Sequence, residues 1–122
     1  MSLKLGVWKM NENGVEDTLG IGQVDPNTGE VSGELGGFGA FRGLWDETSR
    51  TITFRTFMQG DSAPRFYKGF LFSTPRNPAP GQDVVWTLAG FVQLVELPNV
   101  VSMGGNARRT VFGWFAQITE VG

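Results

Sequence analysis

Residues 84–97 read VVWTLAGFVQLVEL, and the fold turns on how this stretch is interpreted. It is the longest nearly uncharged run in the chain, and β-branched and aromatic residues dominate it. At a period of two, Val84, Trp86, Leu88, Gly90, Val92 and Leu94 share one face. Val85, Thr87, Ala89, Phe91, Gln93 and Val95 share the other. Both faces are largely apolar, so a strand here expects cover on both sides. A barrel interior supplies one cover and a partner subunit the other. At roughly 3.3 Å per residue, such a strand crosses a whole small domain.

Working outward, residues 74–83 carry Pro75, Pro78 and Pro80 and read as an exposed connector. Before them, residues 65–73 form an aromatic-rich sixth strand. Residues 41–45 and 51–59 form the fourth and fifth, joined by the polar loop at 46–50. The first three strands fall at 4–10, 16–24 and 30–38. Asn13-Gly14 closes one turn, and Asp25-Pro26-Asn27-Thr28-Gly29 makes another. Downstream, 98–107 is a long loop around Gly104-Gly105, and 109–121 is an eighth strand. No stretch of ten or more residues has a helical period. The expectation is one all-β domain over 1–122, an eight-stranded antiparallel up-and-down β-barrel, with an open sandwich as the alternative. Gly36, Gly37, Gly39 and Gly43 read as positions where the sheet coils sharply.

Composition removes several chemistries. The 122 residues contain no cysteine and no histidine. Thiol nucleophiles, thiolate or imidazole metal sites and Ser-His-Asp hydrolysis are thereby excluded. No carboxylate pair is placed for acid–base work, so neither catalysis nor a cofactor or metal is expected. A net charge of -2 gives no nucleic-acid footprint. No apolar run reaches the roughly 18 residues of a membrane-crossing helix. Met1-Ser2-Leu3 leads straight into patterned sequence, which makes a cytoplasmic location the default expectation.

Several local patterns, in order along the chain, resemble the avidin/streptavidin family. Gly6-Val7-Trp8 is like the opening Gly-x-Trp of that family, a pattern shared with other calycin barrels. Residues 29–35, GEVSGEL, are similar to its Gly-x-Leu-x-Gly-x-Tyr. Tyr67-Lys68-Gly69 looks like the Trp-x-Gly of its sixth strand, Trp86-Thr87-Leu88 like the Trp-Leu-Leu of its seventh, and Gly113 falls within the eighth. The resemblance implies a streptavidin-like barrel that binds a small molecule in its mouth. The ureido-binding positions depart from the pattern. The first-strand Asn is matched by Met10, the Tyr of the glycine motif by Leu35, the sixth-strand hydroxyl residues by Ala63 and Arg65, and the eighth-strand Asp by Phe115. An aromatic wall is retained in Trp86, in Tyr67 for one Trp, and in Phe57 for another. A site that has lost its hydrogen-bonding groups is not expected to bind biotin. The implied ligand site, Trp86, Tyr67, Phe57, Leu35, Met10 and Phe115, suits an apolar or aromatic molecule.

Other readings compete at each position. Aromatic residues dominate small β cores, so Trp8 reads as core, and Trp86 and Tyr67 read as core or as pocket wall. Trp45 and Trp114 fit the core or a subunit interface. Arg42, Arg55, Arg65 and Lys68 form a solvated face, or gather at one end to hold an anion. The two-sided apolarity of 84–97 leads to a homo-oligomer packed through strands six to eight. The competing function is an interaction or inhibitor module docking a partner through loops 74–83 and 98–107.

Overall fold

In the computed structural model, which describes residues 2–57, 64–96 and 108–122, eight antiparallel strands close into a barrel in sequence order. They are β1 (Gly6–Glu12), β2 (Val15–Val24), β3 (Glu30–Leu35), β4 (Gly39–Asp46), β5 (Thr51–Thr56), β6 (Arg65–Thr74), β7 (Val84–Glu96) and β8 (Arg108–Glu120). Closure is made by β1 on β8, from Lys9 opposite Gln117 to Glu12 opposite Trp114. The Asn13 amide extends this seam by donating to the Gly113 carbonyl at 3.0 Å. The barrel answers the choice against the open sandwich. No helix occurs among the described residues.

The alternation of side chains makes the core. On β5, Ile52, Phe54 and Thr56 point inward and are buried, while Thr53 and Arg55 point out. The inward set also includes Trp8, Leu19, Leu35, Phe41, Leu88 and Val92, each at most 1 % exposed. These side chains fill the bore, as a barrel of this strand number allows. Phe54 stacks on Tyr67 at 4.5 Å between ring centres, and Trp114 meets both edge-on at 5.7 and 5.8 Å.

The turns follow from their residues. Asn13 and Gly14 both take positive φ (51° and 88°), forming the two-residue hairpin that Asn-Gly favours, so β1 runs on to Glu12. Asp25 caps the next turn by accepting from the amides of Asn27 and Thr28. The third strand is shorter than its glycine-rich pattern predicts. It stops at Leu35, where the Phe38 amide turns back to the Leu35 carbonyl at 2.9 Å, and Gly36–Phe38 form the turn into β4.

The barrel has two different ends. One carries both chain ends, the turn at 25–29 and the proline loop, which lies at 75–83. Buried Leu3 plugs this end, Ser2 bonds to Glu47, and Lys4 pairs with Glu120 at 2.9 Å. The other end carries Glu12, Phe38, Thr56, Arg65 and Phe112. The expected loop at 98–107 falls entirely outside the described residues, as does Ala63.

Candidate functional site

The six residues assembled from the family resemblance do not form one site. Tyr67 and Trp86 sit toward opposite ends of the bore. Tyr67 is opposite Val92 and Trp86 opposite Ser73, six register positions apart, or about 20 Å along the strands. Trp86 is half-buried at the plugged end, donating from Nε1 to Glu120 at 3.0 Å with the Lys4 ammonium 5.3 Å above its ring. Leu35 and Met10 are core side chains, 0 % and 2 % exposed. Phe57 and Phe115 lie on the outside, 40 % and 44 % exposed. Phe57 follows the outward parity of Arg55, whose guanidinium lies 5.2 Å from its ring centre. Met10 and Phe115 do border one shallow hollow of about 540 Å³ on the outer wall, with Lys9, Asn11, Asp17 and Gln117.

Tyr67 belongs instead to a buried polar cluster. Its hydroxyl donates to Glu12 Oε1 at 3.0 Å, and Arg65 reaches the same oxygen. Glu12 comes from the end of β1 and Arg65 from the start of β6, so the pair crosses the bore. The Arg65 guanidinium also rests 4.1 Å from the Phe38 ring centre. Burial is the largest cause raising the Tyr67 phenol far above its ordinary value, followed by the nearby Glu12 charge. The cluster is a lid of satisfied charges over the aromatic core. A phenol held neutral this firmly is a poor acid or base near neutral pH.

The outer wall is where functional groups are left exposed. Cross-strand register arranges it in rows. One row runs Ser32, Arg42, Arg55, Phe66, Gln93, Val111, and the next runs Glu30, Leu44, Thr53, Lys68, Phe91, Gly113. A third runs Asp46, Thr51, Phe70, Ala89, Phe115, Asn11, and a fourth Phe72, Thr87, Gln117, Lys9. Apart from Val111 and Gly113, the first two rows line an open groove of about 860 Å³ that also touches Gln23 and Asp25. Across the rows, β6, β7 and β8 expose an apolar surface of Phe66, Phe70, Phe72, Phe91, Val111 and Phe115, interrupted by Lys68, Gln93 and Gln117. Period-two patterning in β6 could have exposed it, since Phe66, Phe70 and Phe72 share the face opposite Tyr67.

Among the described residues, no group of three or more Asp or Glu side chains is placed to hold a metal ion. Comparison with family models, with curated proteins and with solved structures returns no match.

Proposed function

We propose that the protein is a non-enzymatic β-barrel that works through its outer wall and associates with a second copy of itself across β6, β7 and β8. The observation that supports this most is the exposure of Phe66, Phe70, Phe72, Phe91, Val111 and Phe115, each 44–49 % accessible on one contiguous wall. Three strands of ten residues span roughly 33 Å by 14 Å at ordinary strand spacings. The whole wall is about 450 Å² in projection, within the range of the largest patch on ordinary monomers, which is often functional. Adding the rim brings the wall toward the roughly 800 Å² per partner of a standard interface.

The exposed aromatic rings of this wall lie together, whereas the apolar side chains exposed on other strands, Val7, Val15 and Leu44, are aliphatic. The walls of β1 to β3 also present Lys9, Asn11, Glu16, Thr18 and Glu34. A contiguous face with few charges suits a twofold, self-complementary contact. On this reading the chain is streptavidin-like in architecture, without the ureido site. An apolar ligand in the barrel mouth has weaker support, because the aromatic core and the Glu12–Arg65–Tyr67 cluster occupy the described bore.

Sedimentation velocity at micromolar concentration tests the proposal. The wild-type chain sediments as a dimer or larger, and Phe70→Asp with Phe115→Asp gives a folded monomer. A wild-type chain that is monomeric throughout would sink the proposal and leave the wall, or the exposed proline loop, to a different protein.

A further inference from the structure

We infer that the groove formed by the first two rows binds a phosphate monoester whose alcohol carries an aromatic ring, for which a mononucleotide is the simplest model. Arg42 and Arg55 stand directly opposite each other on neighbouring strands, both pointing outward. Like charges in that register repel, and the pair is tolerated most easily where an anion lies between them. Lys68 adds a third cation one row away, across from Thr53. Among the described residues the ion pairs are Lys4 with Glu120 and Arg65 with Glu12, so none of the three groove cations has a carboxylate partner there. All three line the groove, and two guanidiniums with an ammonium suit a doubly charged group better than a single carboxylate once the Arg55 and Lys68 heads swing in from the Phe57 and Phe70 rings, beside which they rest at 5.2 and 5.8 Å.

The aromatic half lies beside the cations. Phe66 pairs in register with Arg55, and Phe91 with Lys68. Both rings are nearly half exposed and line the same groove. A planar base joined to the phosphate through its sugar can lie against them while the phosphate stays on the arginines. Thr53, between Leu44 and Lys68, adds a hydroxyl within the groove.

The other end of the groove sets a limit on the ligand. Asp25 and Glu30 line it there, and Glu30 lies opposite Leu44, next to the arginine row. A second phosphate continuing across the strands would meet these carboxylates. The groove therefore fits one monoester and disfavours a polyanionic strand, in keeping with the net charge of -2. The groove overlaps the proposed self-association face at Phe66, Lys68, Phe91 and Gln93 and extends from there over β5, β4 and β3, whereas that face centres on Phe70, Ala89 and Phe115.

The test titrates AMP, adenosine and inorganic phosphate into the isotope-labelled protein, read by amide chemical shifts and by calorimetry. AMP is expected to bind roughly tenfold or more tightly than either fragment, with shifts centred on Arg42, Thr53, Arg55, Phe66 and Lys68. Arg42→Gln and Arg55→Gln should each weaken AMP by about tenfold, and Phe66→Ala by several-fold. Lys9→Gln, on the far wall, should change nothing. These side chains point outward, so the variants keep their fold, which an unchanged melting curve verifies. Absence of binding at millimolar AMP would overturn the inference, as would phosphate binding as tightly as AMP, or an Arg55→Gln variant that binds like wild type. Because these readouts do not depend on sedimentation, failure here is distinguishable from failure of self-association.

Discussion

Removing the Glu12 carboxylate while leaving Arg65 in place should cost about 3 kcal/mol of stability, because a charge would be stranded in the barrel. The side chains of Glu12 and Arg65 are 7 % and 19 % exposed, so both are largely out of water. Breaking a fully buried ion pair from one side costs roughly 3–5 kcal/mol. The lower end applies here, since Arg65 keeps some solvent and retains the Phe38 ring 4.1 Å away. Tyr67 also loses its acceptor, adding the penalty of a buried hydroxyl without a partner. The expected value for Glu12→Leu is thus about 3 kcal/mol, and Arg65→Met should cost a similar amount by stranding the carboxylate. The double variant Glu12→Leu with Arg65→Met should recover part of this loss, ending about 1–2 kcal/mol below wild type: apolar groups replace the ion pair at little cost, but the Tyr67 hydroxyl still lacks its acceptor. Urea unfolding measures all three. With a slope of about 1.5–2 kcal/mol per molar, each single variant moves the midpoint down by roughly 1.5–2 M, and the double variant by roughly 0.5–1 M. The reasoning fails if the two single effects simply add in the double variant. It also fails if either single variant stays within about 1 kcal/mol of wild type, which would mean that the pair is solvated rather than buried.

Two further outcomes follow from the same core. Tyr67 is the only tyrosine in the chain, so absorbance of the ionised phenol reports it alone. Its native value is raised above the ordinary value of about 10, so the stabilisation it brings is complete below that pH and is lost as pH climbs past it. The native protein should therefore resist phenol ionisation at pH values where the urea-unfolded chain titrates, and Tyr67→Phe should flatten the alkaline fall in stability. Native and unfolded titrations that coincide would refute this. Gly69 and Gly113 form a contrasting pair. A Cβ on Gly69 would sit 2.6 Å from Trp114 Cζ2, whose indole is held by the Lys68 and Phe91 carbonyls, whereas one on Gly113 would meet nothing closer than 3.7 Å. Gly69→Ala should cost about 2–3 kcal/mol by overpacking and Gly113→Ala under about 0.5 kcal/mol, both read from urea midpoints.

The strands were legible because period-two patterning survives wherever one face is buried. Residues 84–97 carry that signal most strongly, and β7 occupies 84–96. Strand ends were less legible where glycine permits either a strand or a turn. Gly36 and Gly37 continue the pattern of β3 on paper, yet the chain turns there because Leu35 already ends the pairing with Leu19. Closure was invisible in principle, since it depends on the register between β1 and β8 at opposite ends of the sequence.

The candidate site was legible only in part, and the reason is geometric. Short motifs preserve which strand a residue occupies, but not how far along the barrel it sits. Trp86 and Tyr67 both point into the bore, as their parity predicts, yet they lie about 20 Å apart along the strands. A motif match that slips by a few positions keeps the face and loses the site. The arginines illustrate the converse. Arg42, Arg55 and Lys68 fall together because their strands are consecutive and their parity agrees. Arg65 begins β6 with the inward parity of Tyr67 and is drawn to Glu12 across the bore. One turn of that parity separates a structural charge from a surface one. The parity leaves Arg42, Arg55 and Lys68 facing solvent, while Arg65, 19 % exposed, is taken up by Glu12.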